Sequence, residues 1–259
     1  MKRVYHLDLT KGMIRGATVA LLPGDPSRAG LLAGAVSEMY GGRAGEIAFN
    51  REFCTYLSET ERGKVLVTST GIGGPSASIA VEELAILGVT TFIRVGTTGA
   101  IQSGIRTGDV VVTTAAVRLD GASRHYAPIE YPAVADHGIV CALIEGARGA
   151  GVRYHVGISA SSDTFYPGEE RDDSFRRYVI RELRGSAEEW LNLGVLNYEM
   201  EAATILTMTA SMGLRGGCIT GVVNRAGKGG ITERNLRLGE RNVVRAAVAS
   251  LGSILDAVG

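Results

Sequence analysis

Short runs of apolar, β-branched residues alternate along this chain with longer stretches in which apolar residues recur at helical spacing. The runs at 18–22, 65–69, 91–95, 110–114, 154–160 and 217–223 predict buried strands. The periodic stretches at 76–87, 139–150, 176–183, 200–212 and 242–257 predict helices. In the first of these, Ala80, Leu84 and Leu87 share a face, with Glu82 and Glu83 between them, so part of that helix must meet water or a polar partner. Pro75 suits its first position, where no amide donor is needed. The last helix carries a broad stripe of Val243, Val244, Ala247, Val248, Leu251, Ile254 and Leu255. Strand followed by helix, repeated, argues for an α/β layered fold. Neither an internal repeat nor a low-complexity linker interrupts the pattern, and glycine falls mainly at element boundaries. A single domain over residues 1–259 is the expectation. Two segments, 123–135 and 166–173, read as irregular excursions of the kind that often bind ligands.

Composition narrows the function classes. A chain of 259 residues can bury a sizeable core. Lysine plus arginine and aspartate plus glutamate number 27 each, which argues against a general nucleic-acid or anionic-membrane binder. The three cysteines, Cys54, Cys141 and Cys218, are too widely spaced for a metal motif or a disulfide framework. Cys141 and Cys218 lie in apolar runs and are expected to be core thiols. The N-terminal residues lack the apolar centre of a signal peptide. No apolar run reaches the roughly 18 residues that a membrane-spanning helix needs. The expectation is a soluble, cytoplasmic protein.

Chemistry concentrates in a few clusters. The run ending at Ile93 leads into Arg94-Val95-Gly96-Thr97-Thr98-Gly99. Guanidinium, hydroxyls and close-approaching glycine backbone together suit an anion such as phosphate. The run ending at Leu22 leads similarly into Pro23-Gly24-Asp25-Pro26-Ser27-Arg28. Both arginines follow strands, so both can sit on one edge of a sheet, where ligands of α/β proteins bind. Arg51 stands in Asn50-Arg51-Glu52-Phe53, where Glu52 offers a local ion-pair explanation for it. Asn197-Tyr198-Glu199-Met200-Glu201 precedes a helical stretch, and acidic residues favour a helix N-terminus. Ala226-Gly227-Lys228-Gly229-Gly230 lacks the spacing of a Walker phosphate loop and the hydroxyl residue after its lysine, so it reads as a flexible loop.

These clusters, with Ser69-Thr70-Gly71-Ile72-Gly73-Gly74-Pro75-Ser76, Leu119-Asp120-Gly121-Ala122-Ser123 and the segment 161–168, occur in an order that resembles the uridine phosphorylases of the hexameric nucleoside phosphorylase superfamily. The resemblance runs from about His6 to the last helix. It implies a central mixed β-sheet flanked by helices and sites shared between paired subunits, in a homodimer at least, with a trimer of dimers (a homohexamer) as the expected assembly. It implies inorganic phosphate as co-substrate and no organic cofactor. By resemblance, Gly24, Arg28, Arg94 and Thr97 bind phosphate, with Arg51 entering from a neighbouring subunit. Glu201 accepts from the ribose 2′ and 3′ hydroxyls, Met200 packs on the sugar, Glu199 supports the site or touches the hydroxyls, and His6 of a partner reaches the 5′ hydroxyl. Thr98, Gly99, Phe165, Glu169, Arg171, Val222, Val223 and Arg225 surround the base. Arg94, Glu201 and Arg171 carry the catalytic roles. A potassium site from Glu52, Ile72 and Ser76 at a subunit interface is also implied.

One position departs from the family pattern. Uridine phosphorylases share Phe-Tyr-Pro-Gly-Gln-x-Arg, and this chain has Phe165-Tyr166-Pro167-Gly168-Glu169-Glu170-Arg171. An ionised Glu169 can only accept hydrogen bonds, whereas a glutamine amide also donates. It would oppose O2 of uracil and the negative charge that builds on a departing uracil. Guanine, with two adjacent donors, suits it better, and Arg171 could donate to its O6. A purine nucleoside (guanosine or inosine) phosphorylase is therefore the alternative. Against it, Asn224 stands in the region where purine phosphorylases usually place an aspartate, and an amide cannot deliver a proton to N7. Glu169 could equally be protonated in a dry pocket, or turn aside toward an arginine. Uridine is the leading substrate, with deoxyuridine and thymidine behind it. A nucleosidase is disfavoured because water needs no arginine cluster. A non-catalytic nucleoside-binding protein is the remaining rival.

Overall fold

The structure is a computed structural model that describes residues 3–171, 173–227 and 230–257. Asp172, both chain ends, and Lys228 and Gly229 of the glycine-rich stretch lie outside these residues. In chain order the elements are β1 (Val19–Leu22), α1 (Pro26–Tyr40), β2 (Gly42–Asn50), β3 (Phe53–Thr60), β4 (Gly63–Thr68), α2 (Gly74–Leu87), β5 (Thr91–Ala100), β6 (Val110–Leu119), β7 (Ala133–Val134), α3 (His137–Gly149), β8 (Tyr154–Ser162), α4 (Ser186–Asn192), β9 (Asn197–Glu199), α5 (Ala202–Ser211), β10 (Arg215–Arg225) and α6 (Glu233–Asp256).

All ten strands join one mixed sheet, in the order β10-β6-β8-β9-β5-β1-β4-β3-β2, with β7 on β6. Strand β10 also pairs with β5, so β5, β10, β6, β8 and β9 close on themselves like a small barrel. Closure removes an edge that would otherwise be open to pairing. Helices cover both faces. On one side α1, α3 and α6 bury Leu32, Val36, Leu143, Val243 and Leu251 against Val19, Val67, Ile93 and Ile219. On the other, α2, α5 and the N-terminal segment bury Leu84, Ile205, Met208, Leu7 and Ile14 against Ala20, Leu66 and Phe92. The alternation of Val19/Leu21 and Ala20/Leu22 between these two cores is the two-residue period of a strand buried on both faces.

The mixed sheet with flanking helices agrees with expectation. One predicted helix does not form: 176–183 is irregular apart from a single 3-10 turn, Arg181–Leu183. Tyr178-Val179-Ile180 resists the helical state through restricted side-chain rotamers, and Arg177 adopts a φ of 47°. The helix of that region is α4, with its first amides held by Glu170, whose carboxylate accepts from Gly185 N and Ala187 N at 2.7 Å each. Helix α1 carries no clear periodic signature in the sequence, because Gly30 and Gly34 dilute its apolar face. Gly30 sits where an added Cβ would lie 3.1 Å from the Tyr56 hydroxyl, so glycine permits α1 to approach β3. Its start was nonetheless encoded: Asp25 caps the helix by accepting from Ser27 N at 2.8 Å, and Pro26 occupies the first turn. The 24-residue α6 begins nine residues before the predicted 242, capped by Thr232. Of the cysteines, Cys54 and Cys218 are buried, but Cys141 is exposed on α3 and is not a core thiol. None of the described helices is long and apolar enough to cross a membrane.

Candidate active site

Strands β1, β4, β5 and β10 run parallel, so their C-terminal ends bring the glycine turns after β1 and β4 to one side of the sheet; Arg94 to Gly99, expected as a turn, instead continues β5 to Ala100, paired with β10. Register aligns Leu22 with Arg94 and Gly99 with Asn224 across neighbouring strands. A cavity of about 630 Å³ opens there. It is lined by predicted residues Gly24, Arg28, Glu52, Ile72, Ser76, Arg94, Thr97, Thr98, Gly99, Phe165, Glu169, Glu199, Met200, Glu201 and Val223.

Arg94 is only 5% exposed and is held by two carboxylates. Its Nε donates to Glu199 Oε2 at 2.7 Å, and Nη2 pairs with Glu201 Oε2. Burial alone would lower its pKa, but the negative charges of Glu201 and Glu199 outweigh that and raise it, so it stays a cation. Glu199 is heavily engaged by protein donors. It also accepts from Glu201 N at 2.9 Å, Ala202 N at 2.8 Å and the Ser161 hydroxyl. Its geometry is that of a support: it pins Arg94 to the first amides of α5, where a carboxylate suits the helix dipole. Glu201 accepts from Gly73 N at 2.6 Å through Oε1. Burial raises its pKa, while Arg94 pulls the other way.

Arg28 differs in kind. It lies in the first turn of α1 with its side chain 15% exposed, not on the solvated surface. Glu240 of α6 approaches its Nε at 3.4 Å. Yet Nε and Nη1 are buried with no hydrogen-bond acceptor among the described residues. Burial lowers its pKa, opposed by Glu240 and reinforced by Arg94. Two arginines thus converge on the cavity, one paired with two carboxylates and one with two buried donors that meet no acceptor among the described residues.

The other part of the cavity is built from Phe165, Glu169, Gly99, Tyr198, Asn224 and Ile231. Glu169 is 4% exposed, on the 3-10 turn Pro167–Glu169. Burial, only partly offset by Arg171 and reinforced by Glu199, pushes its carboxyl up to about 7. Arg171 does not line the cavity. It is 3% exposed, donates to both oxygens of Asp173 at 2.8 and 2.6 Å, and stacks over Phe165 with Cζ 4.4 Å from the ring centre. It therefore buttresses Phe165. Val222 points away, into a cluster with Ala100, Ile105 and Val111, because successive strand residues face opposite sides. Only Val223 lines the cavity, at a bulge between Val222 and Asn224. Arg225 also misses it and donates to the carbonyls of Ile101 and Gln102. The Thr98 hydroxyl is already engaged, with the Tyr198 carbonyl at 2.5 Å and Asn197 Nδ2 at 2.7 Å.

His6 and Arg51 do not line this cavity. They lie in one neighbourhood, since Asn50 Nδ2 donates to the His6 carbonyl at 2.8 Å. Glu83, turned inward from α2, accepts from the backbone amides of His6 and Leu7 and lies 2.8 Å from His6 Nδ1. The polar partner expected for that helix is thus the N-terminal segment, and Glu83 is the anchor that holds it. Arg51 is exposed at the tip of the β2–β3 hairpin with φ 55°. Glu52 does not neutralise it; Glu52 Oε1 instead meets Ser76 Oγ at 2.9 Å. Among the described residues no group of three or more His, Cys, Asp or Glu side chains is arranged to hold a metal. Asn224, weighed from the sequence as a base-side residue, lines the cavity, and so do Asp25, Tyr198 and Ile231, whose side chains spacing alone does not point to.

Comparison with known proteins agrees with this geometry. The family model described as the phosphorylase superfamily matches residues 18–258. The chain is 51% identical to the uridine phosphorylase of Escherichia coli K12 over 253 residues, covering 97% of this chain and 98% of that one. It is 46% identical to the uridine phosphorylase of Thermococcus kodakarensis over 243 residues, 90% and 83% of the two chains. It is also 36% identical over 219 residues to a protein named guanosine phosphorylase from Halorubrum lacusprofundi, 85% and 82% of the two chains. By its match over nearly the whole length and by the arrangement of its cavity, the chain belongs to the phosphorylase superfamily.

Proposed function

We propose that this protein cleaves uridine with inorganic phosphate, giving uracil and ribose 1-phosphate. The observation that carries the reading is Arg28, a buried guanidinium on the cavity wall with two donors that meet no acceptor among the described residues. An oxyanion co-substrate satisfies them, and water would not need them. Arg94 completes the cationic wall beside it. The phosphate is held under C1′ by Arg28, Arg94, Gly24 and Thr97. The C1′–N1 bond breaks with its electron pair passing to the base, a C1′–O bond to phosphate forms, and the departing uracil takes up the proton that hydrogen phosphate loses on becoming the ester. Catalysis is then positioning plus charge stabilisation. Glu201 accepts from the ribose hydroxyls and favours positive charge developing on the sugar. Met200 packs against the sugar face. Phe165, braced by Arg171, stacks with the base, and Glu169 meets its polar edge. Glu199 acts through Arg94 and is a positioning residue.

Full-length similarity to uridine phosphorylases supports uridine over other nucleosides. A second reading, guanosine phosphorolysis, is favoured only by the Glu169 carboxyl and by the more distant guanosine phosphorylase. His6 and Arg51 lie outside their own chain's cavity, which supports a second copy donating them to a shared site, as in a homodimer or a trimer of dimers. Glu52 and Ser76 bring together two oxygens of the kind a hard cation takes, and such cations gather more oxygens than these, so a potassium ion would need the second copy as well. The cytoplasm is the proposed compartment.

Base release from uridine, thymidine, inosine and guanosine, each with and without phosphate, tests the assignment. Fast, phosphate-dependent uracil release is expected. Release that ignores phosphate would make the protein a nucleosidase, and preferential guanine release would make the second reading the correct one. Mass measurement in solution, with and without potassium, tests the oligomer and the cation.

A further inference from the structure

We infer that Glu169 selects the base, and that it accepts a uracil-type edge only as the neutral acid. The inference rests on the phosphorolysis proposed above and concerns how the same cavity discriminates. The placement of Glu169 is tightly determined. Gly168 packs where a Cβ would collide with the Ser162 hydroxyl and would lie 2.7 Å from Thr164 Oγ1. Its amide donates to Thr164 Oγ1 at 2.9 Å. On the other side, Glu170 is committed to the amides of Gly185 and Ala187 at the start of α4, and Arg171 N donates to the Tyr166 carbonyl at 2.9 Å. The carboxyl between these anchors is buried and lines the cavity beside Phe165, Gly99 and Asn224.

The charges around it do not hold it ionised. From its own loop it faces Arg171, and near that Tyr166 and Asp173; Asp173 already takes two hydrogen bonds from the Arg171 guanidinium. From β9 it faces Glu199 and Tyr198, the first of which opposes a second negative charge. From β10 it faces Asn224, which is neutral. Desolvation is the largest influence, and the carboxyl titrates at about 7.

Uracil presents a carbonyl, N3–H and a second carbonyl along one edge. A neutral carboxyl donates its O–H to a carbonyl and accepts N3–H, as an amide side chain does. An ionised one faces that carbonyl with a lone pair and opposes the negative charge that the leaving uracil acquires. Guanine presents N1–H and a 2-amino group side by side, and these match an ionised carboxylate. The two bases therefore call for opposite protonation states of one side chain.

The test is kcat/KM for uridine and guanosine between pH 6 and 9, for the wild type and Glu169→Gln, in phosphate. The ratio of wild type to variant on uridine should fall about tenfold per pH unit once pH exceeds about 8. In the wild type alone, guanosine should gain on uridine over the same interval. Ratios remove the titration of phosphate itself, which both proteins share. A wild-type-to-variant ratio that stays level from pH 6 to 9, or guanosine cleavage that does not gain on uridine, overturns the inference. If wild type and variant release no base from either nucleoside, the phosphorolysis reading itself falls and the inference falls with it. The wild-type comparison needs no variant, so the outcome does not depend on how Glu169→Gln folds.

Discussion

The guanidinium of Arg94 lies against Gly96, and a Cβ added there would stand 2.8 Å from Arg94 Cζ and Nη2. Arg94 cannot yield easily, because Glu199 and Glu201 hold it from the other side. Gly96→Ala should therefore displace the cation and reduce phosphorolysis by tenfold or more, a loss of about 1.4 kcal/mol in transition-state stabilisation. The fold should lose only about 1–3 kcal/mol, as overpacked sites do. Steady-state kinetics beside thermal denaturation separate the two effects, and unaltered turnover would show that the Arg94 position is not critical.

Arg94 and Arg28 should respond oppositely to truncation. Arg94→Ala leaves Glu199 and Glu201 buried without their cation. Loss of one partner from a buried pair costs about 3–5 kcal/mol, and loss of a charge-stabilising donor costs about 10²–10³ in rate. Arg28→Ala removes a guanidinium whose buried Nε and Nη1 meet no acceptor among the described residues, so stability should hold or rise while KM for phosphate climbs. Melting curves with phosphate titrations decide it. A large drop in Tm for Arg28→Ala would mean that its approach to Glu240 matters more than the anion.

Glu83 ties the N-terminal segment to α2 through three donors. Burial raises its carboxyl pKa, but the Leu7 and His6 amides and the His6 ring together lower it below the usual glutamate value. Its stabilising contribution is therefore present above the unfolded-state pKa near 4.5 and is lost as pH falls through the lower folded-state value. Glu83→Ala should release the segment, destabilise the fold by about 1–3 kcal/mol and misplace His6. Hydrogen exchange at Leu7 and Leu9 reports the release directly, and protection equal to that of the wild type would exclude this anchoring role.

Glu169 has the reverse sign. Its folded pKa of about 7 exceeds the ordinary 4.5, so the folded state binds a proton that the unfolded state has lost. Its stability contribution is full below about 4.5 and disappears as pH rises to about 7, a change on the order of 3 kcal/mol. Denaturant titrations of wild type and Glu169→Gln at pH 5 and 8 measure it. The variant should gain on the wild type at the higher pH, and a stability difference that does not change with pH would place the carboxyl in a wetter setting.

Periodicity and turn chemistry by themselves determined the layered α/β class, the glycine turn after β1, and the placing of Arg28 and Arg94 near the ends of two neighbouring strands. Those features are local: a strand buried on both faces must be apolar, and a turn that approaches an anion must contain glycine and donors. The edge strand β2 was not legible, because exposure on both faces leaves no apolar pattern in Gly42–Asn50. The tertiary structure alone decided which partners each charge meets. Arg171 turned to Asp173 and Phe165, Val222 and Arg225 left the cavity, and Glu83 found the N-terminal segment. Glu83 and Arg225 meet partners brought to them by helix docking and strand register, whereas Arg171 meets Asp173 and Phe165 through the fold of its own loop. The energy of a buried charge depends on all its neighbours at once, which no local spacing encodes.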